Sequence, residues 1–333
     1  MIKWLSYDDT LIMLKGDKMN EFEFLSITKE NPIHLNIDLA STDYLCHYTD
    51  ANGMNGILSS NSFWVTRSDY LNDLSEIIQI KQVIECVHNT ITANKEKYIN
   101  EIDPNGMLLE NYMSYIKFLG SKLDNSQATR DYDIYVLSLS ENSDSLALFS
   151  YYSTSDGCCL GFDTDKLLSF KAPTYNFSDY KGIAVTGGKV IYSLEEQIKT
   201  LMNDILEVYN SVFDRIKKHK IHVVDQALYN KIFDELMHYT LAKVSIYSIF
   251  IKHQSFYHEE EYRIAFLLDK EHSHLVKHMT RGSGQIPYIE FEFSELPLKF
   301  IRRSPKNNAD IKSISKDTKY RETDILDSQI PLR

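Results

Sequence analysis

The sequence of 333 residues lacks the short motifs that identify the common enzyme folds. It contains no GxxxxGK[ST], no GxGxxG, no HExxH and no GxSxG. These absences remove the main support for a P-loop fold, a dinucleotide-binding Rossmann fold, a zinc protease and an α/β-hydrolase. Any function therefore depends on other polar groups of the chain.

Cysteine is scarce, with four residues in the whole chain. None of them forms a CxxC pair, and Cys158 and Cys159 are adjacent within an apolar run. This spacing does not fit a zinc site, so we expect no bound metal. The cysteines are instead predicted to be small buried residues of a protein in a reducing compartment.

Long apolar runs are also missing. No uncharged stretch is long enough to cross a bilayer, and residues 1–18 lack the charged and then apolar order of a secretory signal peptide. The net charge of −11 argues against broad electrostatic capture of nucleic acid. These features predict a cytoplasmic protein without a membrane segment.

Hydrophobic periodicity predicts short strands interspersed with longer helices. Ser193 and Glu196 form a capping box at the start of one of the long helices. The predicted helices are 53–58, 74–98, 108–123, 194–216 and 224–251, and the predicted strands are 22–27, 33–37, 44–49, 63–66, 134–140, 157–163, 189–192, 260–268, 288–293 and 298–301.

These elements predict one main domain of the α+β class. Residues 1–40 are expected to be an N-terminal extension, and residues 41–310 a single α+β domain. A helical insertion is predicted at 193–251, where two long helices form a paired layer. Residues 311–333 are predicted to be a polar C-terminal tail.

The stretch 44–76 concentrates polar groups around two predicted strands. Binding groups are often placed in this way, on loops held by rigid elements. Ordinary structural roles stay open as well, since His47 is also typical of a partly buried strand residue and Asn72 and Asp73 of a turn. The candidate binding residues that these strands carry are His47, Tyr48, Thr49, Arg67, Ser68, Asn72 and Asp73.

The run Glu259, Glu260 and Glu261 has two interpretations. It is either a solvated group of charges at a strand edge or the source of a functional carboxylate. Strand alternation places Glu259, Glu261 and Arg263 on one side and Glu260 on the other. An ionised carboxylate with an arginine two residues further on can stabilise a developing positive charge.

Three segments in order resemble a family of bacterial proteins known mainly as a domain of unknown function. They are HYTDANGMNGIL with FWVTRSDYLNDLSE, then LFSYYSTSDGCCLGFD, and then FYHEEEYRIAF. The resemblance spans about residues 44–310. The sequence departs from the family pattern at Phe149 and at Phe256-Tyr257, where tryptophan is usual.

The first segment is also similar to the opening of ADP-ribosyltransferases. This resemblance implies a mixed, short-stranded split β-sandwich with a peripheral helical layer, and NAD as the cofactor. It implies that His47 and Thr49 hold the dinucleotide, that Arg67 meets its pyrophosphate and that Tyr151 stacks on nicotinamide. Glu261 would be the catalytic glutamate, and His47, counted with it as a catalytic residue, would face it across a shared cleft. The further residues assigned to the NAD site are Tyr48, Ser68, Asn72, Asp73 and Arg263.

The predicted function is therefore NAD-dependent ADP-ribosyl transfer to a macromolecular target, in bacterial defence or stress response. The acidic net charge favours a protein target, while RNA or single-stranded DNA stays open. Two alternatives remain. One is a nucleotide- or effector-binding sensor without catalysis, and the other is a scaffold whose helices 193–250 dock a partner.

Overall fold

A computed structural model of the chain describes residues 35–70, 75–122, 132–153, 156–169, 178–181, 183–218, 226–281, 284–307 and 319–331. The predicted strand 22–27 and the candidate site residues Asn72 and Asp73 lie outside these ranges.

The described residues form eleven strands and several helices. The strands are β1 (Tyr44–Thr49), β2 (Ser62–Arg67), β3 (Tyr132–Ser140), β4 (Cys158–Asp163), β5 (Ser178–Tyr180), β6 (Ile183–Lys189), β7 (Glu261–Asp269), β8 (Lys277–Arg281), β9 (Gly284–Glu292), β10 (Leu298–Arg303) and β11 (Asp324–Leu326). The α-helices are α1 (Ala51–Ser60), α2 (Ser75–Ala93), α3 (Met107–Lys122), α4 (Leu146–Tyr152), α5 (Thr164–Leu167), α6 (Leu194–Lys218) and α7 (Gln226–Phe250).

Most elements with a clear hydrophobic period were predicted close to their observed bounds. The strand predicted at 189–192 is wrong, because β6 ends at Lys189 and Ile191 makes only an isolated bridge to Ile251. Residues 35–37, the described part of the strand predicted at 33–37, are not in a strand. The elements that were not predicted are α4, α5, β5, β6, β8 and β11.

All eleven strands belong to one open sheet. Its main order is β11-β10-β4-β1-β3-β2-β9-β8, with β7, β6 and β5 extending from the other edge of β3. Every pairing is antiparallel except that of β10 with β11. The predicted α+β class is confirmed, whereas the two sheets expected of a sandwich are joined into one through β3.

The sheet branches at β3. One edge of β3 pairs with β7 over its whole length. The other edge pairs with β1 at Ser140 and with β2 at Val136 and Tyr135. The strands β1 and β2 therefore diverge along the same edge of β3, and the helix α1 connects them. We call this opening the β1–β2 notch.

The branch of the sheet that ends in β5 curls towards β9 in the main order of strands. The hydroxyl of Tyr180 on β5 donates to the carbonyl of Glu290 on β9, at 3.1 Å, and accepts from the amide of Glu292. The ring of Tyr180 packs edge-on against Phe266 and Phe291. The main hydrophobic core lies on the inner side of this curl, with contributions from most strands and from α1.

A smaller core lies on the opposite face of the sheet. It consists of Cys46 and Tyr48 from β1, Cys159 from β4, and Leu148 and Phe149 from α4. The cysteines are free and three of the four are buried, as their apolar surroundings predict. The helix α4 therefore covers the outer face of β1 and β4.

The chain divides into two compact units, and the β-rich unit described above contains residues 37–73, 127–190 and 254–333. The other, helical unit contains α2, α3, α6 and α7, so the insertion predicted at 193–251 lies within it. Its interior holds the fully buried carboxylate of Asp204, which accepts from Tyr247 and lies 3.3 Å from the Lys243 ammonium. Within the described ranges, no helix is both long and apolar enough to cross a membrane.

Candidate functional site

His47 lies in the β1–β2 notch. Its Nδ1 is 3.4 Å from the carbonyl oxygen of Ser138 on β3, and its ring packs edge-on against Phe63 of β2. Burial lowers the pKa of His47, and the contact with the Ser138 carbonyl offsets this only in part. The imidazole is therefore neutral near pH 7, with Nδ1 as the donor to Ser138 and Nε2 as an acceptor.

Thr49 ends β1 directly before α1. The side chain of Asp50 caps the helix by accepting from the amide of Gly53 at 2.7 Å. The hydroxyl of Thr49 rests on the Gly53 backbone so closely that a Cβ there would lie 2.0 Å from its oxygen. Glycine at position 53 thus lets the polar end of β1 approach the first turn of α1.

Arg67, predicted to bind a pyrophosphate, is held by carboxylates. Its Nε and Nη2 donate to the two oxygens of Asp69 at 2.8 and 2.9 Å, and Asp133 lies 3.7 Å from Nη1. Burial alone would lower the pKa of Arg67, but these carboxylates raise it above its ordinary value. An incoming pyrophosphate would have to displace Asp69 and tolerate Asp133, so the geometry does not suit this role. The neighbouring Ser68 begins a short 3-10 helix, Ser68–Tyr70.

Glu261 and Arg263 form a buried ion pair at the start of β7. The Nε and Nη2 of Arg263 donate to the two carboxylate oxygens of Glu261 at 2.8 and 3.0 Å. Glu261 is 6% exposed and Arg263 is 2% exposed. A carboxylate held in this way is ionised but largely inaccessible to a ligand.

His47 and Glu261 do not face each other. Cys46 pairs with Ser140, and Ser140 pairs with Glu261, so these three side chains project from one face of the sheet. His47 follows Cys46 in β1 and therefore projects from the other face, on the side of Phe63 and the main core. The expectation of a shared cleft between His47 and Glu261 is wrong, because side-chain direction alternates along each strand.

Tyr48 projects on the Glu261 side but serves a structural role. Its hydroxyl donates to the carbonyl of Asn142 at 2.8 Å and accepts from the amide of Ser145 at 3.0 Å. The residue is buried, and burial raises the pKa of its hydroxyl. Tyr48 thereby fixes the loop 141–145, which leads from β3 into α4.

Tyr151, predicted to stack on nicotinamide, is exposed at the end of α4. It is 64% exposed, and its ring centroid lies 6.3 Å from that of Tyr152 and 6.3 Å from that of His258. Tyr257, 66% exposed, packs edge-on against His258. The Nε2 of His258 is buried, and no hydrogen-bond partner for it lies in the part of the chain that the structure describes. We call Tyr151, Tyr152, Tyr257 and His258 the tyrosine cluster.

Glu260 is the accessible carboxylate of the acidic run. Its backbone has a φ of 44°, in the left-handed region that few residues other than glycine adopt. This turns its exposed side chain away from the buried Glu259 and Glu261, and its Oε1 accepts from the Asn142 amide at 2.9 Å. Sequence reasoning missed Glu260, because strand alternation alone does not reveal a left-handed residue before β7.

The residues assigned to one NAD site thus fall into three places within the β-rich unit. His47 and Thr49 lie at the β1–β2 notch, and Arg67 lies among the carboxylates at the far end of β2. The third place, on the opposite side of the sheet from His47, holds Tyr48, Tyr151 and the ion pair of Glu261 with Arg263. Among the described residues, no group of three or more histidine, cysteine or acidic side chains could hold a metal ion.

One comparison with known proteins gives a match. A family model described as "Protein of unknown function (DUF2971)" matches residues 148–264. This confirms the similarity to a family of unknown function over that range, whereas the similarity to ADP-ribosyltransferases stays a prediction. No curated protein and no solved structure matches the sequence. The matched range contains the tyrosine cluster, Glu260 and the ion pair of Glu261 with Arg263, but not His47 or Arg67.

Proposed function

We propose that the β-rich unit binds NAD or a closely related nucleotide at the tyrosine cluster and acts as a nucleotide sensor without catalysis. The exposure of Tyr151 and Tyr257 carries this proposal, together with Glu260, whose amide donates to the Tyr257 carbonyl and whose carboxylate accepts from Asn142. Exposed tyrosine rings stack on flat rings such as nicotinamide or adenine, and nearby amide and carboxylate groups bond to hydroxyls.

The state of Glu261 favours a sensor over an enzyme. An ADP-ribosyltransferase needs an ionised carboxylate that reaches the ribose as nicotinamide leaves. Both oxygens of Glu261 are bonded to Arg263, in a place almost without solvent. The proposed sensor works in bacterial defence or stress response, and its location is proposed to be cytoplasmic because the sequence shows neither a signal-peptide pattern nor a long apolar run.

ADP-ribosyl transfer to a macromolecule is the second candidate, and the exposed carboxylate of Glu260 favours it. In that reaction the bond between the nicotinamide nitrogen and the ribose breaks. A bond from the same ribose carbon to a nucleophile of the target forms, and the proton of the nucleophile passes to solvent. Glu260 would stabilise the positive charge that develops on the ribose. A protein is the favoured target, with RNA or single-stranded DNA as alternatives.

Binding and turnover are measured separately. Calorimetric titration of the purified protein with NAD tests the shared binding step, and chromatography of the same mixture measures released nicotinamide. The sensor proposal expects saturable binding without release. Release above the spontaneous rate, abolished in Glu260→Gln, would favour the transferase instead. Absence of binding would overturn both candidates.

The role of the tyrosine cluster is tested by Tyr151→Ala. Stacking on one aromatic ring contributes about 1–3 kcal/mol, so the Kd for NAD should rise roughly 5-fold to 150-fold. Tyr151→Phe should retain most of the affinity because the ring is kept. Phe118→Ala, which removes an exposed aromatic ring of the helical unit, is the matched control and should leave the affinity unchanged.

A further inference from the structure

The end of β10 carries three consecutive residues with buried donor groups that lack an acceptor among the described residues. They are the Nε of Arg302, the Nε of Arg303 and the hydroxyl of Ser304. Ser304 is only 6% exposed, although it is a polar residue at a strand end. Buried donors are nearly always paired in folded proteins, so three adjacent unpaired donors require an explanation.

The two guanidinium groups lie near each other. The Nη1 of Arg302 donates to the carbonyl oxygen of Asp327 at 3.1 Å, and the Nη2 of Arg303 lies 2.5 Å from a carboxylate oxygen of the same residue. The two side chains start on opposite faces of the sheet, because the residues are consecutive in β10, but the ends of both reach Asp327, and this shared contact is where the two guanidinium groups can approach one small anion. Ser304 follows directly, and its amide donates to the carbonyl of Gly157 at 3.1 Å.

The nearby acids do not neutralise this pair fully. The side chain of Asp327 is 74% exposed, so its ion pair with Arg303 is weak. Asp144 lies 3.7 Å from Arg302, but its two oxygens accept from the hydroxyl of Ser328 and the amide of Gln329. Arg302, with a side chain 15% exposed, thus retains donor capacity for a ligand.

We propose that Arg302, Arg303 and Ser304 form a binding site for a phosphate group. Guanidinium groups bind phosphate oxygens through paired, charge-assisted hydrogen bonds, and a serine hydroxyl adds a neutral donor. Each of the three unpaired donors then receives an acceptor oxygen. In a chain with a net charge of −11, the sequence Arg302-Arg303-Ser304-Pro305-Lys306 is a local concentration of positive charge.

The position of this site connects it to the nucleotide ligand. Arg303 pairs with Cys158 in β4, and Cys158 pairs with Thr49 at the end of β1, so the site lies at the same end of the sheet as Thr49. On the other side, the amide of Asp144 donates to Asn142, whose own side chain donates to Glu260. One loop, 141–145, therefore joins the phosphate site to Glu260.

This inference rests on the proposed function only in taking the phosphate to be part of a nucleotide. A nucleotide bound at both places would have its ring on the tyrosine cluster and its phosphates at Arg302 and Arg303. Arg302 and Arg303 would then replace Arg67 as the pyrophosphate-binding residues.

Pyrophosphate is the probe that tests the site alone. Titration calorimetry should give saturable binding to the intact chain, with a Kd that rises as sodium chloride is added. Arg302→Gln and Ser304→Ala should each weaken binding about tenfold or more. Arg321→Gln removes an arginine whose side chain is 69% exposed, and this matched control should stay within about twofold of the wild type.

The outcomes distinguish this site from the proposed function. Absence of pyrophosphate binding, or equal binding by Ser304→Ala and Arg321→Gln, would overturn the site, and Ser304→Ala decides the matter even where Arg302→Gln fails to fold. Pyrophosphate binding without NAD binding would support the site and overturn the nucleotide proposal. NAD binding that Arg302→Gln and Ser304→Ala leave unchanged would overturn the assignment of the nucleotide phosphates to this site and leave the proposed function standing.

Discussion

His47 and Glu261 project from opposite faces of one sheet, although β3 is the only strand between theirs. A ligand held by the imidazole therefore has the sheet between itself and the carboxylate. The two residues cannot act on the same bond. The carboxylate of Glu261 instead neutralises Arg263, and its replacement is expected to act on stability.

Glu261→Gln should destabilise the β-rich unit by about 3 kcal/mol, because it removes the negative charge that accepts two hydrogen bonds from the buried Arg263 guanidinium. The free energy of unfolding, measured by urea denaturation, checks this. Glu260→Gln changes an exposed carboxylate one residue away and should shift stability by less than about 0.5 kcal/mol. Equal effects of the two changes would contradict a structural role for the ion pair.

Glu260→Gly should stabilise the protein by up to about 1 kcal/mol, since glycine adopts a φ of 44° without the clash that other side chains suffer. Glu260→Ala removes the same carboxylate but keeps a Cβ, and it should give no such gain. Thermal unfolding of the two variants separates backbone strain from charge. A stabilised Glu260→Gly that has lost NAD binding would indicate strain kept for function. Glu260→Ala as stable as Glu260→Gly would show that strain plays no part.

Stability should depend on pH through His47. Its pKa is lowered in the folded state, so below about pH 6.5 the unfolded chain binds a proton more readily than the folded one. The stabilisation is present above that pH and is lost as the pH falls from about 6.5 through the folded-state pKa. Urea denaturation should be measured between about pH 7.5 and about pH 4.5, a range that brackets the ordinary histidine pKa of about 6.5. The free energy of unfolding should decline less steeply over this range for His47→Gln than for the wild type. His278→Gln, which removes an exposed imidazole, should retain the decline of the wild type.

Arg67→Gln should leave the affinity for NAD within about twofold of the wild type, because Asp69 and Asp133 already occupy the guanidinium. Calorimetric titration of Arg67→Gln and Arg302→Gln in parallel checks this. A large loss of affinity in Arg67→Gln alone would restore the pyrophosphate role that the sequence predicts for Arg67. Tyr135 lies beside Arg67, Asp69 and Asp133. Its buried hydroxyl has no hydrogen-bond partner among the described residues, and burial raises its pKa to about 12.

The sequence predicts an element of secondary structure well when the element forms because of residues close together in the chain. The long helices α6 and α7 were found from their apolar period, and the alternation of β7 from its own residues. The short strands β5 and β8 were missed, because three to five residues hold little periodic signal and their pairing depends on β6 and β9. Tyr151 is exposed, while its stacking on nicotinamide stays a prediction.

The sequence by itself determined the α+β class, the main helices and strands, and the two faces of each strand, because these follow from periods within a few residues of chain. Only the tertiary structure decided which faces come together. Strand register placed His47 and Glu261 on opposite sides of the sheet, and the pairing of β10 with β11 brought Asp327 beside Arg302 and Arg303. These contacts join residues far apart in the chain, and no local pattern specifies them.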